Sequence, residues 1–190
     1  MAQTATNVSA AKPPVAGAVS IGATSLTLPT DATTALATGF TSLGYISEDG
    51  LTNSNSPDAE IINAWGGDPV LTLYNSKEDT FTFTLLEVLN IDVLKAVYGG
   101  SNVSGTLAAG ITVTANNTPA EPQAFVVDMV MRNNAIKRIV IPSATVTEIG
   151  EVEYSDSAAV GYEITLSAQA DSSGNTHYEY IKAATSSNNG

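Results

Sequence analysis

The sequence predicts a mainly β protein: an antiparallel β-sandwich or half-barrel with one short flanking α-helix. Three observations carry this. Apolar and polar residues alternate with period two in several separate stretches, those stretches are rich in β-branched and aromatic residues, and only one segment has apolar residues at helical spacing. With 190 residues, 43% of them hydrophobic, the chain is long enough to bury one core and short for two. A single domain is expected.

Residues 1–24 are mostly Ala, Thr, Ser, Gly and Pro, with Pro13 and Pro14 in tandem, and show neither period. They are expected to form an extended N-terminal arm leading into a folded body over residues 25–183. Early in that body, strands are predicted at Gly44 to Ser47 and at Ile61 to Trp65, around a small, polar, turn-prone middle. The whole of 44–67 therefore reads as a long loop. Such a loop gains little by folding onto its own core, so it is a flexible excursion or a contact for something outside the monomer.

A strand at Val70 to Asn75 follows. Next, Phe81, Phe83 and Leu85 alternate with Thr80, Thr82 and Thr84, the pattern of a strand with one buried face. The helix comes at about Asn90 to Tyr98. Asn90 supplies the N-cap, Asp92 lies in the first turn, Ile91, Leu94 and Tyr98 with Val97 form the apolar stripe, and Gly99 is the stop. A helix this short is marginal alone and must dock on a sheet. Further strands are expected at Gly110 to Thr114, Phe125 to Met131, Ala135 to Ile141, Ala144 to Tyr154, Tyr162 to Ala168 and His177 to Lys182. Residues 184–190 read as a flexible polar tail.

Charge and missing residue types narrow the chemistry. There is no cysteine, hence no disulfide framework and no thiolate site. The 19 acidic and 7 basic side chains give a net charge of −12, which opposes tight binding of phosphate backbones or anionic membrane. No apolar run approaches bilayer length and the N-terminus lacks a basic start with an apolar core, so a soluble chain without membrane insertion is expected.

Catalysis has little to stand on. His177, the one histidine, follows a Ser-Ser-Gly-Asn turn and reads as a surface strand position. No phosphate loop, histidine cluster or calcium loop is present, so no cofactor or metal is expected. Glu151 and Glu153, two apart on a predicted strand, share a face as glycosidase carboxylates can. Sugar sites usually add aromatic platforms, and one Trp with 6% aromatics overall is thin provision. The protein is not expected to be an enzyme.

Four stretches in order, Leu28 to Leu36 (LPTDATTAL), Leu43 to Leu51 (LGYISEDGL), Ala64 to Gly67 (AWGG) and Thr80 to Gly100 (TFTFTLLEVLNIDVLKAVYGG), resemble the major tail tube protein of long, non-contractile-tailed, siphovirus-type bacteriophages. The resemblance runs over roughly residues 12 to 183. It implies a fold similar to the tube protein of type VI secretion, and six-membered rings whose inner strands join into one barrel and which stack into a tube conducting genome DNA into the host. It further implies a virion protein made in the bacterial host cytoplasm, with itself, the tape-measure, tail terminator and distal tail proteins as partners. The 44–67 loop then becomes a subunit and ring contact, with Glu48, Asp49, Gly50, Asn53, Asn55, Asp58 and Trp65 as candidate interface residues. A negative lumen repels DNA phosphates rather than holding them. Glu151, Glu153 and Glu163 are candidates to line it, from alternation and their place on late strands, with an external face as the alternative. Two other classes stay open: another virion ring protein (terminator, neck or decoration), or an acidic β-sandwich carbohydrate-binding module, for which Trp65 is the one platform.

Overall fold

The alternating stretches pair into a single antiparallel sheet in a computed structural model that describes residues 3–183. In chain order the strands are β1 (Ala11–Lys12), β2 (Val19–Ala23), β3 (Thr41–Ser42), β4 (Ile46–Asn63), β5 (Pro69–Leu85), β6 (Val103–Thr106), β7 (Gly110–Val113), β8 (Gln123–Met131), β9 (Ile136–Ile149), β10 (Tyr162–Ala168) and β11 (Tyr178–Lys182). The main sheet runs β3-β2-β8-β9-β10-β5-β4, with β1 added on β8 and β11 on β9; β6 and β7 form a separate hairpin. The sheet does not close into a barrel, and the mainly β, sandwich-like class expected from the alternation holds.

One face of this sheet builds the core. Phe81, Phe83 and Leu85 of β5 meet Ile164 and Leu166 of β10, Ile139 and Ile141 of β9, and Phe125 and Val127 of β8. The one α-helix among the described residues, α1 (Ile91–Tyr98), caps this core with Val93, Leu94, Ala96 and Val97. Its start is the one the sequence encodes, since the Asn90 side chain accepts the Asp92 N–H at 3.0 Å. At its end Gly99, at φ 90°, donates its N–H to the Lys95 carbonyl. Tyr98 stands edge-on to Tyr162, with ring centroids 5.7 Å apart.

The opposite face is also covered where β8 and β9 pair. Val126 and Val140 are cross-strand partners there, beside the pair Asp128 and Arg138. Arg138 grips Asp128 through Nε and Nη2 at 2.6 and 3.1 Å and donates Nη1 to the carbonyls of Asp31 and Thr34. This fixes the excursion between β2 and β3 against the sheet. The excursion is itself stiffened by Asp31, whose carboxylate accepts from Thr34 and Thr33. Those bonds favour the ionised form and hold its pKa well below the ordinary carboxylate range.

Several expectations need correction. Val19–Ala23 lies within the stretch read as an arm, yet it pairs with β8 and Val19 is 0% exposed. Five residues with a glycine among them are too few to show a period. The two strands expected on either side of Pro142 are one strand, β9. It passes Pro142 at a register shift against β8, where the missing N–H costs no ladder bond. It also ends at Ile149, so Glu151 and Glu153 lie in the connection to β10 and not on a strand. The tail expected at 184–190 falls outside the described residues.

Candidate assembly surfaces

The largest departure from expectation is segment 44–67. Instead of a loop, Ile46–Asn63 forms an 18-residue strand that pairs with β5 along nearly all its length, from Ile46 opposite Leu85 to Asn63 opposite Pro69. Polar, small residues adopt strand here because the partner strand supplies the ladder; intrinsic propensity is not what holds them. Ten residues beyond Asn53, at about 3.3 Å each, carry the hairpin about 33 Å from the body. Every residue from Thr52 to Glu78 is exposed. The segment is an arm.

The arm has three zones. At its root, four residues, Ser47 to Gly50, bulge out between the register pairs Ile46 with Leu85 and Leu51 with Phe83. Ser47 Oγ donates to Asp49 at 2.8 Å, and Gly50 takes φ 76°, a backbone state that a side chain would strain. Glu48, Asp49 and Gly50 are therefore on the body, at the base. Above them the shaft is polar and includes Asn55, Pro57 and Asp58. The last zone is apolar. Ile62 faces Leu71 and Glu60 faces Leu73 on one side of the ribbon, and Ile61 with Thr72 and Ala59 with Tyr74 lie on the other. At the tip, Ala64 N–H bonds to the Asp68 carbonyl at 2.8 Å, and Gly66 and Gly67 have φ of 124° and 98°. This turn holds Trp65 in solvent at 107% relative exposure.

Ile61, Ile62, Val70, Leu71, Leu73 and Tyr74 were missing from the sequence-based candidate set. Their apolar character was legible, but strand prediction places apolar residues in the monomer's core. Here the core is absent on both faces. Among the residues that were predicted, Trp65 sits with this cluster and Asn55 and Asp58 lie on the shaft. Asn53 directs both its amide bonds inward, to Asp79 at 2.8 Å and to the Thr80 carbonyl at 3.0 Å.

Asn53 belongs to a joint where the arm leaves the body. Asp79, 1% exposed, also accepts from Thr176 Oγ1 and lies 2.5 Å from His177 Nδ1. The His177 ring stands edge-on to Phe81. His177 is thus not the surface position expected of it. Burial pushes the Asp79 carboxyl up, but the bonds from Thr176, His177 and Asn53 outweigh that and leave it below the usual range. The joint ties both arm strands to the segment entering β11.

A second surface lies on the outer face of the sheet near this root. Thr52, Thr82, Thr165 and Glu148 form one cross-strand row through β4, β5, β10 and β9, and Ser54, Thr80, Ser167 and Thr145 form the next. Thr82 and Thr165 hydroxyls are 3.0 Å apart. Glu163, opposite Thr84, is on the same face, whereas Glu151 and Glu153 are exposed in the connection beyond it. These rows hold hydroxyls and carboxylates and no cation.

The family model described as phage tail tube protein matches residues 4–189. No curated protein matches the chain.

Proposed function

Because the chain belongs to the phage tail tube protein family, it is a structural subunit of a bacteriophage tail, and we propose that six copies form a ring, that rings stack into a tube, and that the arm carries the contact between copies. The observation behind this reading is the arm's apolar end. It gains nothing from the monomer that displays it, so its sequence makes physical sense only against a second surface. The siphovirus-type tail and the relation to the type VI secretion tube belong to the same proposal, as do tape-measure, terminator and distal tail proteins as neighbours.

The hydroxyl-rich face with Glu148 and Glu163 supports a lumen wall. A surface that carries the sign of the DNA phosphates has no counterions to release on contact and so gains no affinity. Cargo then passes without sticking. Glu163 stays a lumen candidate, Glu148 joins it, and Glu151 and Glu153 leave the set because they lie off the sheet.

Negative-stain imaging of the purified chain over a concentration and salt series tests the assembly. Hexameric rings are expected, and tubes at high concentration, with salt favouring growth by screening repulsion between chains of net charge −12. Rings that never stack would point to a terminator-like role. A monomer at every concentration would refute self-assembly.

A further inference from the structure

The charged side chains of the body are sorted along the strand direction. Strand register places Lys12, Arg132, Lys137, Arg138 and Lys182 together at the end of the sheet where β8 turns into β9, and these are five of the seven Lys and Arg residues. At the opposite end, around the β9–β10 connection, lie Glu48, Glu87, Glu121, Glu148, Glu151 and Glu153 with further acids, and Lys95 is the one base. The acids of the body are thus concentrated at one end, while Asp58, Glu60, Asp68 and Glu78 with Lys77 lie on the arm.

The cationic end is partly neutralised within the chain. Lys137 bonds Glu179 at 2.7 Å and Arg138 bonds Asp128. Lys12 and Arg132 have no ion-pair partner among the described residues, and both are exposed. They flank a groove of about 340 Å³ lined by Ala10 to Lys12 and Val130 to Asn134. Its shape is fixed by backbone: the Arg132 N–H bonds the Ala10 carbonyl at 3.1 Å and Ser9 Oγ at 2.8 Å, and Asn133 and Asn134 turn the chain at φ of 63° and 57°.

We propose that the Lys12–Arg132 groove receives the acidic β9–β10 connection, with Glu151 and Glu153, of a second copy of this chain, so that copies join head to tail. This rests on the tail tube reading above and adds the surface that sets the stacking direction. Two different, complementary surfaces at opposite ends of one molecule make a heterologous contact, which propagates instead of closing on a pair. Charge complementarity also selects polarity, because acid against acid or base against base is penalised on approach. Copies therefore add in one orientation only.

Two charge-reversed variants test it, Lys12→Glu with Arg132→Glu, and Glu151→Lys with Glu153→Lys. The first moves the formal net charge from −12 to −16 and the second to −8. A general net-charge effect would shift their assembly in opposite directions; the head-to-tail contact predicts that both fail alone. By sedimentation, each should need at least about tenfold more protein than the unmodified chain to form tubes, and an equimolar mixture should assemble within about threefold of it. Rescue on mixing requires both variants to be folded, so misfolding does not imitate it. Unmodified tubes alongside variants that assemble normally alone, or that stay blocked when mixed, would overturn this contact and leave the tube reading standing. An unmodified chain that forms no tubes would overturn both.

Discussion

Trp65 is the single tryptophan of the chain and stands at the arm tip with its ring in solvent, so the molecule carries its own reporter of arm docking. Trp65→Ala should leave the isolated subunit untouched, within about 0.5 kcal/mol, because a ring that contacts nothing supports nothing. In the assembly the same ring is expected to fill a seat on a neighbour. Burying a Trp removes about 150–250 Å² from water, which at about 25 cal/mol per Å² is roughly 4–6 kcal/mol before the cost of ordering is subtracted. Central aromatic anchors cost about 2–4 kcal/mol on truncation, so the concentration needed for assembly should rise about 30- to 1000-fold. Sedimentation of wild type and variant over a concentration series measures that shift. Emission of the unmodified protein supplies an independent readout, a shift to shorter wavelength on assembly with none on dilution to subunits. Tubes whose tryptophan still emits as if in water, or a variant that assembles at wild-type concentration, would refute arm docking through its tip.

Three further outcomes follow from the same geometry. Replacing residues 57–77 by an Asn-Gly turn joins Ser56 to Glu78, which are register partners, and should preserve the melting temperature within about 3 °C while abolishing assembly; a large loss of stability would place the arm inside the monomer's packing. Asp79→Asn should cost about 2–3 kcal/mol at neutral pH by weakening the joint with Thr176, His177 and Asn53. Because the folded Asp79 carboxyl is depressed below 3.8, its contribution is complete above that value and lost as pH falls through the folded value. The gap between wild type and variant in acid denaturation should therefore narrow only below about pH 4. Replacing Glu148 and Glu163 by Lys should leave tail length unchanged and slow triggered DNA release, with recovery as salt rises; equal release rates would remove this face from the lumen.

How much of this was legible in the sequence depends on where the stabilising contacts lie. The Phe81, Phe83, Leu85 alternation and the Asn90 cap are signals carried within a few adjacent residues, and both appear in the structure as read. Thr52 to Asp58 gave the opposite impression, since small polar residues and a proline argue against strand. The deciding contact is a ladder with residues 18 to 30 positions away, from Asp58 with Ser76 to Thr52 with Thr82, which local composition does not carry. Ile61, Ile62 and Trp65 were read as strand, but an apolar residue that serves the monomer and one that serves a neighbour look alike in one chain. The Asp79–His177 joint was invisible for a similar reason, because 98 residues separate its partners. Pro142 misled by position: at a bulge it interrupts nothing.

A ribbon of two strands with water on both sides is marginal by itself, and among the described residues no third strand or packed face accompanies this one beyond Asn55. The arm is thus the part of the free subunit with the lowest local stability. On the proposed arm contact, the first few copies to meet must straighten it and dock it in one step, whereas a copy reaching an existing end finds its seat already formed. That contact predicts growth with a slow start and a fast continuation, so that a pool of free subunits can persist without polymerising until something presents the first end.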